Sequence, residues 1–239
     1  MKYTSDLAWL THRVVGALRR RAGLHQKLSY SQCGEDLIVR YVFDSLKIAA
    51  PSYLDIGAHH PAYLNNTRIL YDAGSRGVNV EPDPTLIDAF RRQRPRDTNL
   101  NVGVAAQAGE LPFHVMNVKT LNTFSRADAE SAVREGNGRI QLERIVSVPV
   151  VDVNDLLKKH FEGGLDFLSL DVEGLDLLIL QGIDYACFRP RVICVETVTF
   201  SENRQGRKIE EIPRFLEGAG YFRYADTWVN SIFVDRSVW

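Results

Sequence analysis

From residue 53 onward, short apolar runs alternate with amphipathic segments, and that alternation admits few architectures. Residues 53–56 read as a strand closed by Gly57, 61–73 as a helix, and 77–81 as a second strand. Residues 84–94 read as a helix opened by Pro84 and stopped before Pro95. A third strand is expected at 99–104, a helix at 151–160, a strand at 166–171 feeding a helix at 174–181, and a strand at 191–197. A helix over 208–217 ends at Gly218 and Gly220, and strands 221–225 and 231–234 form an antiparallel pair turning near residues 228–230. Such a pattern gives an α/β domain with a mostly parallel sheet covered on both faces. Residues 117–144 are polar and weakly periodic between expected strands 111–116 and 145–150, so they read as an insertion over the site face, a lid or a plain solvated loop.

In an open parallel sheet, ligands bind beyond the carboxyl ends of the strands. Asp55-Ile56-Gly57-Ala58 ends the first strand there, and Gly57 allows close backbone approach. Dinucleotide binding needs G-x-G-x-x-G, but this turn runs Gly57-Ala58-His59-His60-Pro61-Ala62, without the second and third glycines. Glu81, followed by Pro82, ends the second strand, where an acid accepts hydrogen bonds from two ribose hydroxyls. A glycine turn and a ribose acid without a pyrophosphate site describe S-adenosylmethionine, its adenine beside Gly103 and Val104, with Asp55 holding its ammonium or an ordered water beside it. NAD is disfavoured.

Asp171-Val172-Glu173-Gly174 ends the fourth strand, and its two acids can converge on a hydroxyl or a cation, though acids are also common at helix starts. Methylating a hydroxyl needs a base or a metal that acidifies it. His60, Asp171 and Glu173 are the candidate bases, and a His capping the next turn is the plainer role for His60. His59, Asn65, Asn66, Thr67 and Glu196 are candidate acceptor contacts; for the Asn and Thr residues, capping and turn chemistry is an equal reading. Asn230 reads as a hairpin turn within reach of the same edge. Asp171, Glu173 and Glu196, with His59, are candidate ligands for magnesium or manganese, although no metal is expected.

The runs SQCGEDLIV (31–39), YLDIGAHHP (53–61), NNTRILYDAG (65–74), RGVNVEPDP (76–84), LSLDVEGLDLLILQG (168–182) and RPRVICVET (189–197) together resemble the FkbM family of S-adenosylmethionine-dependent methyltransferases, over roughly residues 29–236. The resemblance implies the class I, Rossmann-like fold: a seven-stranded, mostly parallel sheet, helices on both faces and a C-terminal antiparallel hairpin. It implies O-methylation of a sugar hydroxyl in a polysaccharide, glycolipid or related glycoside. Asp55, Gly57, Ala58, Glu81, Pro82 and Asp171 fall in or beside the cofactor motifs, and Gln32, Glu35 and Asp36 in a leading segment that closes over the cofactor. An amine or carboxylate acceptor, and a non-catalytic scaffold, stay open as alternatives.

Residues 1–28 add an arm outside this pattern, with Lys2, Arg13, Arg19, Arg20, Arg21 and Lys27 against Asp6 alone. Leu7, Leu10, Val14 and Leu18 recur at helical spacing, so the arm is expected to dock on a second copy or on this domain; contact with an anionic membrane surface is the alternative. The whole chain is nearly balanced, with 29 Lys+Arg against 30 Asp+Glu, which gives no case for a nucleic-acid partner. Three cysteines without metal or disulfide spacing make the cytoplasm, or its membrane periphery, the expected compartment.

Overall fold

In a computed structural model, the described residues are 14, 18, 21–23, 25–172, 174–199 and 206–239. The expectations for the N-terminal arm therefore lie largely outside the described residues, and those for Glu173 entirely so.

The strands are β1 (Tyr53–Ile56), β2 (Gly77–Val80), β3 (Thr98–Leu100), β4 (Gly103–Ala105), β5 (Gly109–Met116), β6 (Leu142–Asp152), β7 (Phe167–Leu170), β8 (Val192–Glu196), β9 (Tyr221–Asp226) and β10 (Asn230–Asp235). The helices are α1 (Glu35–Ser45), α2 (Arg68–Asp72), α3 (Pro84–Gln93), α4 (Arg126–Glu135), α5 (Val153–His160), α6 (Asp176–Gly182) and α7 (Glu211–Gly218). Seven strands form one sheet in the order β3-β2-β1-β7-β8-β10-β9. The first five of that order are parallel, and β10 runs antiparallel to both β8 and β9. This is the class I methyltransferase topology, and the terminal hairpin falls where the sequence pattern puts it.

Strict alternation divides the core between the two faces of the sheet. Tyr53, Phe167, Val192 and Cys194 pack with Val39, Val42 and Phe43 of α1 and Leu70 of α2. Leu54, Leu168, Leu170, Ile193 and Val195 pack with Leu156 and Leu157 of α5, Leu180 of α6 and Leu216 of α7. Each such buried side chain contributes about 1.5–3 kcal/mol relative to exposure. Capping acids define helix starts: Asp83 accepts from Thr85 N, and Asp152 accepts from Asn154 N and Asp155 N.

Several boundaries differ from expectation. Within 61–73 only Arg68–Asp72 is helical, because Asn65 Oδ1 accepts from Thr67 N and Arg68 N and starts the helix late. The expected strand 99–104 is two strands in different sheets, parted where Asn101 Nδ2 donates to the carbonyls of Glu81 and Pro82. The helix expected from 151 begins at Val153, since β6 runs through to the Asp152 cap. That expected from 208 begins at Glu211, as Lys208 bridges Val198. Helix α1 had no counterpart in the sequence reading, although Val39, Val42 and Phe43 form a buried face at helical spacing.

A second, three-stranded sheet has the order β4-β6-β5. Its antiparallel β5/β6 pair carries the polar segment, which holds a 3-10 turn at Lys119–Leu121 and helix α4.

Candidate active site

The carboxyl ends of β1, β2, β7 and β8 open onto a cavity of about 250 Å³. Asp55, Gly57, Ala58 and His59 come to it from β1 and its turn, Glu81 and Pro82 from the end of β2, and Gly103 and Val104 from β4. Ser169 and Asp171 follow from β7, Glu196 from β8, Asn230 from β10, and Gln32, Asn66 and Lys119–Leu121, with Asn122 and Phe124, from loops.

The turn after β1 is internally saturated. Gly57 N and Ala58 N both donate to Val80 O, and His59 N donates to Glu81 Oε2 at 2.9 Å. No backbone N–H of Gly57, Ala58 or His59 is left to cradle a pyrophosphate. Gly57 is required for a reason other than ligand approach. Its φ is +76°, and a Cβ there would overlap the carbonyl oxygen of Asp171 on the adjacent strand.

Glu81 is buried, with Oε2 accepting from His59 N and Oε1 from Asp83 N at 2.8 Å. These bonds fix the carboxylate at the cavity wall while each oxygen keeps a further acceptor site. Desolvation pushes its pKa up to about 8, against the two N–H donors. Asp55 is also raised by desolvation, with the Arg94 charge opposing. Asp171 opens onto the cavity; surrounding protein raises it first, then the charges of Asp176 and Asp55, and solvent in the cleft tempers the shift. Crowded acids of this kind favour a cationic ligand over a pyrophosphate. S-adenosylmethionine, with its sulfonium, ammonium and ribose diol, fits this donor set: Glu81 for the diol and Asp55 for the ammonium side.

Asp55 rests on a polar network that sequence reading missed. Its Oδ2 accepts from Thr67 Oγ1 at 2.7 Å and Asn65 Nδ2 at 3.2 Å. Fully buried Arg94 donates to Asn65 Oδ1, Thr67 Oγ1, Tyr53 Oη and Asp97 Oδ2. An Arg before a Pro at a helix end gives no signal of such a role. Asp176 was missed too; it accepts from Val172 N and Gly174 N and so shapes the loop after β7.

Other expectations are corrected. The polar atoms of Asn65 and Thr67 serve the network under Asp55, and of the two only Asn65 reaches the cavity wall. His60 is not among the residues that line the cavity. Its Nδ1 accepts from Ala62 N and Tyr63 N, so a neutral ring carries its proton on Nε2 and has no basic lone pair left. Glu35 does not line the cavity; its Oε1 accepts from Thr227 Oγ1 and Asn230 Nδ2, and its Oε2 from Cys33 N. Asp36 likewise accepts from Ser29, Ser31 and Tyr30 N. Val104 and Gly103 begin β4 rather than end a strand, yet they still reach the cavity. Asn66, His59 and Glu196 line the cavity as expected residues do, and Asn66 Nδ2 lies 3.4 Å from Ser169 Oγ. Among the described residues, no three His, Cys, Asp or Glu side chains group to hold a metal ion.

The model of the methyltransferase FkbM domain matches residues 55–223, well over half of the chain. The chain belongs to the FkbM methyltransferase family. It is accordingly an S-adenosylmethionine-dependent methyltransferase. A solved FkbM methyltransferase from Methylobacillus flagellatus is 12% identical, with a TM-score of 0.48 over 78% of this chain and 44% of that one. This FkbM chain thus spans less than half of that protein. An O-methyltransferase from Bacillus cereus in complex with SAH is 13% identical, with a TM-score of 0.40 over 98% and 90% of the two chains. A putative caffeoyl-CoA O-methyltransferase from Staphylococcus aureus is 11% identical, with a TM-score of 0.44 over 98% of each. No curated protein sequence matches the chain. Among the described residues, no helix is long and apolar enough to cross a membrane.

Proposed function

We propose that this FkbM methyltransferase methylates a hydroxyl of a sugar within a polysaccharide, glycolipid or related glycoside. One observation carries the reading: away from Glu81, the polar residues of the cavity wall include the amides of Gln32, Asn66 and Asn230 and the carboxylates of Asp171 and Glu196. Amides and carboxylates match vicinal hydroxyls, which donate and accept at once. A carboxylate acceptor would meet like charge at Asp171 and Glu196.

The bound cofactor supplies an electrophilic methyl group on a sulfonium. Glu81 binds the ribose diol, and Asp55, steadied by Thr67 and Asn65, faces the ammonium side. Asp171 is the assigned base: it lies at the cavity wall, and a raised pKa suits proton removal near neutrality. Leu121, Asn122 and Phe124 cover the end of the cavity near Gly103, so residues 117–144 serve as its lid. Asn122 Nδ2 reaches Asp83 Oδ2 at 3.3 Å, tying that cover to the residue that supports Glu81.

The test is transfer of labelled methyl from S-adenosylmethionine to a panel of methyl glycosides, amines and carboxylic acids. Incorporation into glycosides, abolished in Asp171→Asn, supports the reading. Incorporation into amines or acids alone replaces it.

A further inference from the structure

We infer that Tyr63 and Trp228 form an aromatic rim on which a pyranose ring of the acceptor is seated, an assignment that rests on the glycoside reading above. Among the described residues, five other than glycine have positive φ: Lys47, His59, Leu64, Asn137 and Trp228. Three of the five lie in the two loops that border the acceptor end of the cavity. In sequence, Tyr63 falls between the lining residues His59 and Leu64, and Trp228 stands two residues before the lining residue Asn230, so both aromatic residues stand next to the wall and outside it. A bulky side chain at φ 75° is costly, and strain of this kind gathers at working sites. Core packing does not repay it, because Trp228 is 55% exposed.

The indole is nonetheless held. Lys208 Nζ lies 5.5 Å from the ring centroid and donates to Thr197 Oγ1 and Asp226 Oδ1, while Trp228 N donates to Asp226 Oδ1. Thr227 and Asn230 on either side both donate to buried Glu35, so the turn is pinned to the segment that carries Gln32. Tyr63 is 60% exposed, with its ring centroid 6.5 Å from that of His59 and 6.4 Å from that of His60. His60 Nδ1 accepts from Tyr63 N, which gives His60 a positioning role in place of the proton transfer expected of it.

The occupant follows from chemistry. A pyranose presents a face of C–H groups, apolar and slightly positive, which stacks on the negative face of an aromatic ring. Its hydroxyls project at the edge, where the amides of Gln32, Asn66 and Asn230 stand.

The experiment measures methyl transfer from S-adenosylmethionine to soluble methyl glycosides and disaccharides, with S-adenosylhomocysteine binding followed by calorimetry. Trp228→Ala and Tyr63→Ala should each raise KM for the accepted glycoside at least tenfold, with kcat within about threefold and S-adenosylhomocysteine affinity within twofold. Trp228→Phe should restore most of the loss, because the ring face survives. Unchanged KM in both alanine variants, with the wild type active on glycosides, overturns the rim and leaves the glycoside reading standing. Loss of S-adenosylhomocysteine binding in those variants also overturns it, since the aromatic residues would then support the fold or the cofactor end. A wild-type enzyme inactive on every glycoside overturns both readings together.

Discussion

His59 N and Glu81 Oε2 are joined by a 2.9 Å hydrogen bond that crosses from the turn after β1 to the end of β2. The acid at the cavity wall is thus aimed by the glycine turn itself. Removing the carboxylate by Glu81→Ala should weaken S-adenosylhomocysteine binding by a factor of about 30 or more, as a buried charge-assisted acceptor is lost. Calorimetry reads the affinity, and an unchanged far-ultraviolet spectrum shows the fold intact. Undiminished affinity would sink the ribose assignment.

The same carboxylate predicts a pH dependence. Its folded-state pKa is raised to about 8, so the folded protein binds a proton that the unfolded chain releases near the ordinary carboxylate range. Its contribution to ligand-free stability is therefore present at low pH and lost as pH rises towards 8. Cofactor binding runs the opposite way, because ribose hydroxyls donate to the ionised form. S-adenosylhomocysteine affinity should rise by up to about tenfold per unit between pH 6 and 8 and then level off. A flat profile in the wild type would contradict the assignment, and Glu81→Gln should be flat.

Gly57→Ala tests the closeness of β1 and β7. Positive φ alone costs about 1–3 kcal/mol, and overlap with the Asp171 carbonyl adds to it. Thermal unfolding should fall by about 5 °C or more. An unchanged midpoint would mean that the two strand ends separate more readily than their geometry indicates.

Arg94→Met leaves Asp97 buried without its cation and should cost about 3–5 kcal/mol in urea unfolding. Asp97→Asn/Arg94→Met together should cost less than the sum of the two single changes, because neither charge is then stranded.

Asp171→Asn should lower kcat by about 10² to 10⁴ with the accepted glycoside, the range for loss of a general base. His60→Ala should spare kcat and act instead on KM through the Tyr63 turn. A collapse of kcat in His60→Ala would restore the histidine as the base.

The central sheet was legible because β1, β2, β7 and β8 are short apolar runs ended by Gly57, Glu81, Asp171 and Glu196, residues whose types announce strand ends. The terminal hairpin was legible for the same reason. Division of residues 98–105 between two sheets was not, since it depends on Asn101 reaching two carbonyls 20 and 19 residues away in sequence. The site divided likewise. The places of Asp55, Glu81 and Asp171 at the cavity were readable from strand position, whereas the surroundings of His60, Asn65 and Thr67 rest on which backbone and side-chain atoms they meet. Arg94 is hard to read because, beside the local Asp97, its partners Tyr53, Asn65 and Thr67 come from two distant segments.

The three-stranded sheet shares no strand with the seven-stranded one. Its β5/β6 pair can therefore lengthen, shorten or be exchanged without a change of register beneath Asp55 and Glu81. Residues 117–141 are consequently the natural graft point for altering which ligands are admitted: a transplanted hairpin would bring a new roof to an unaltered floor.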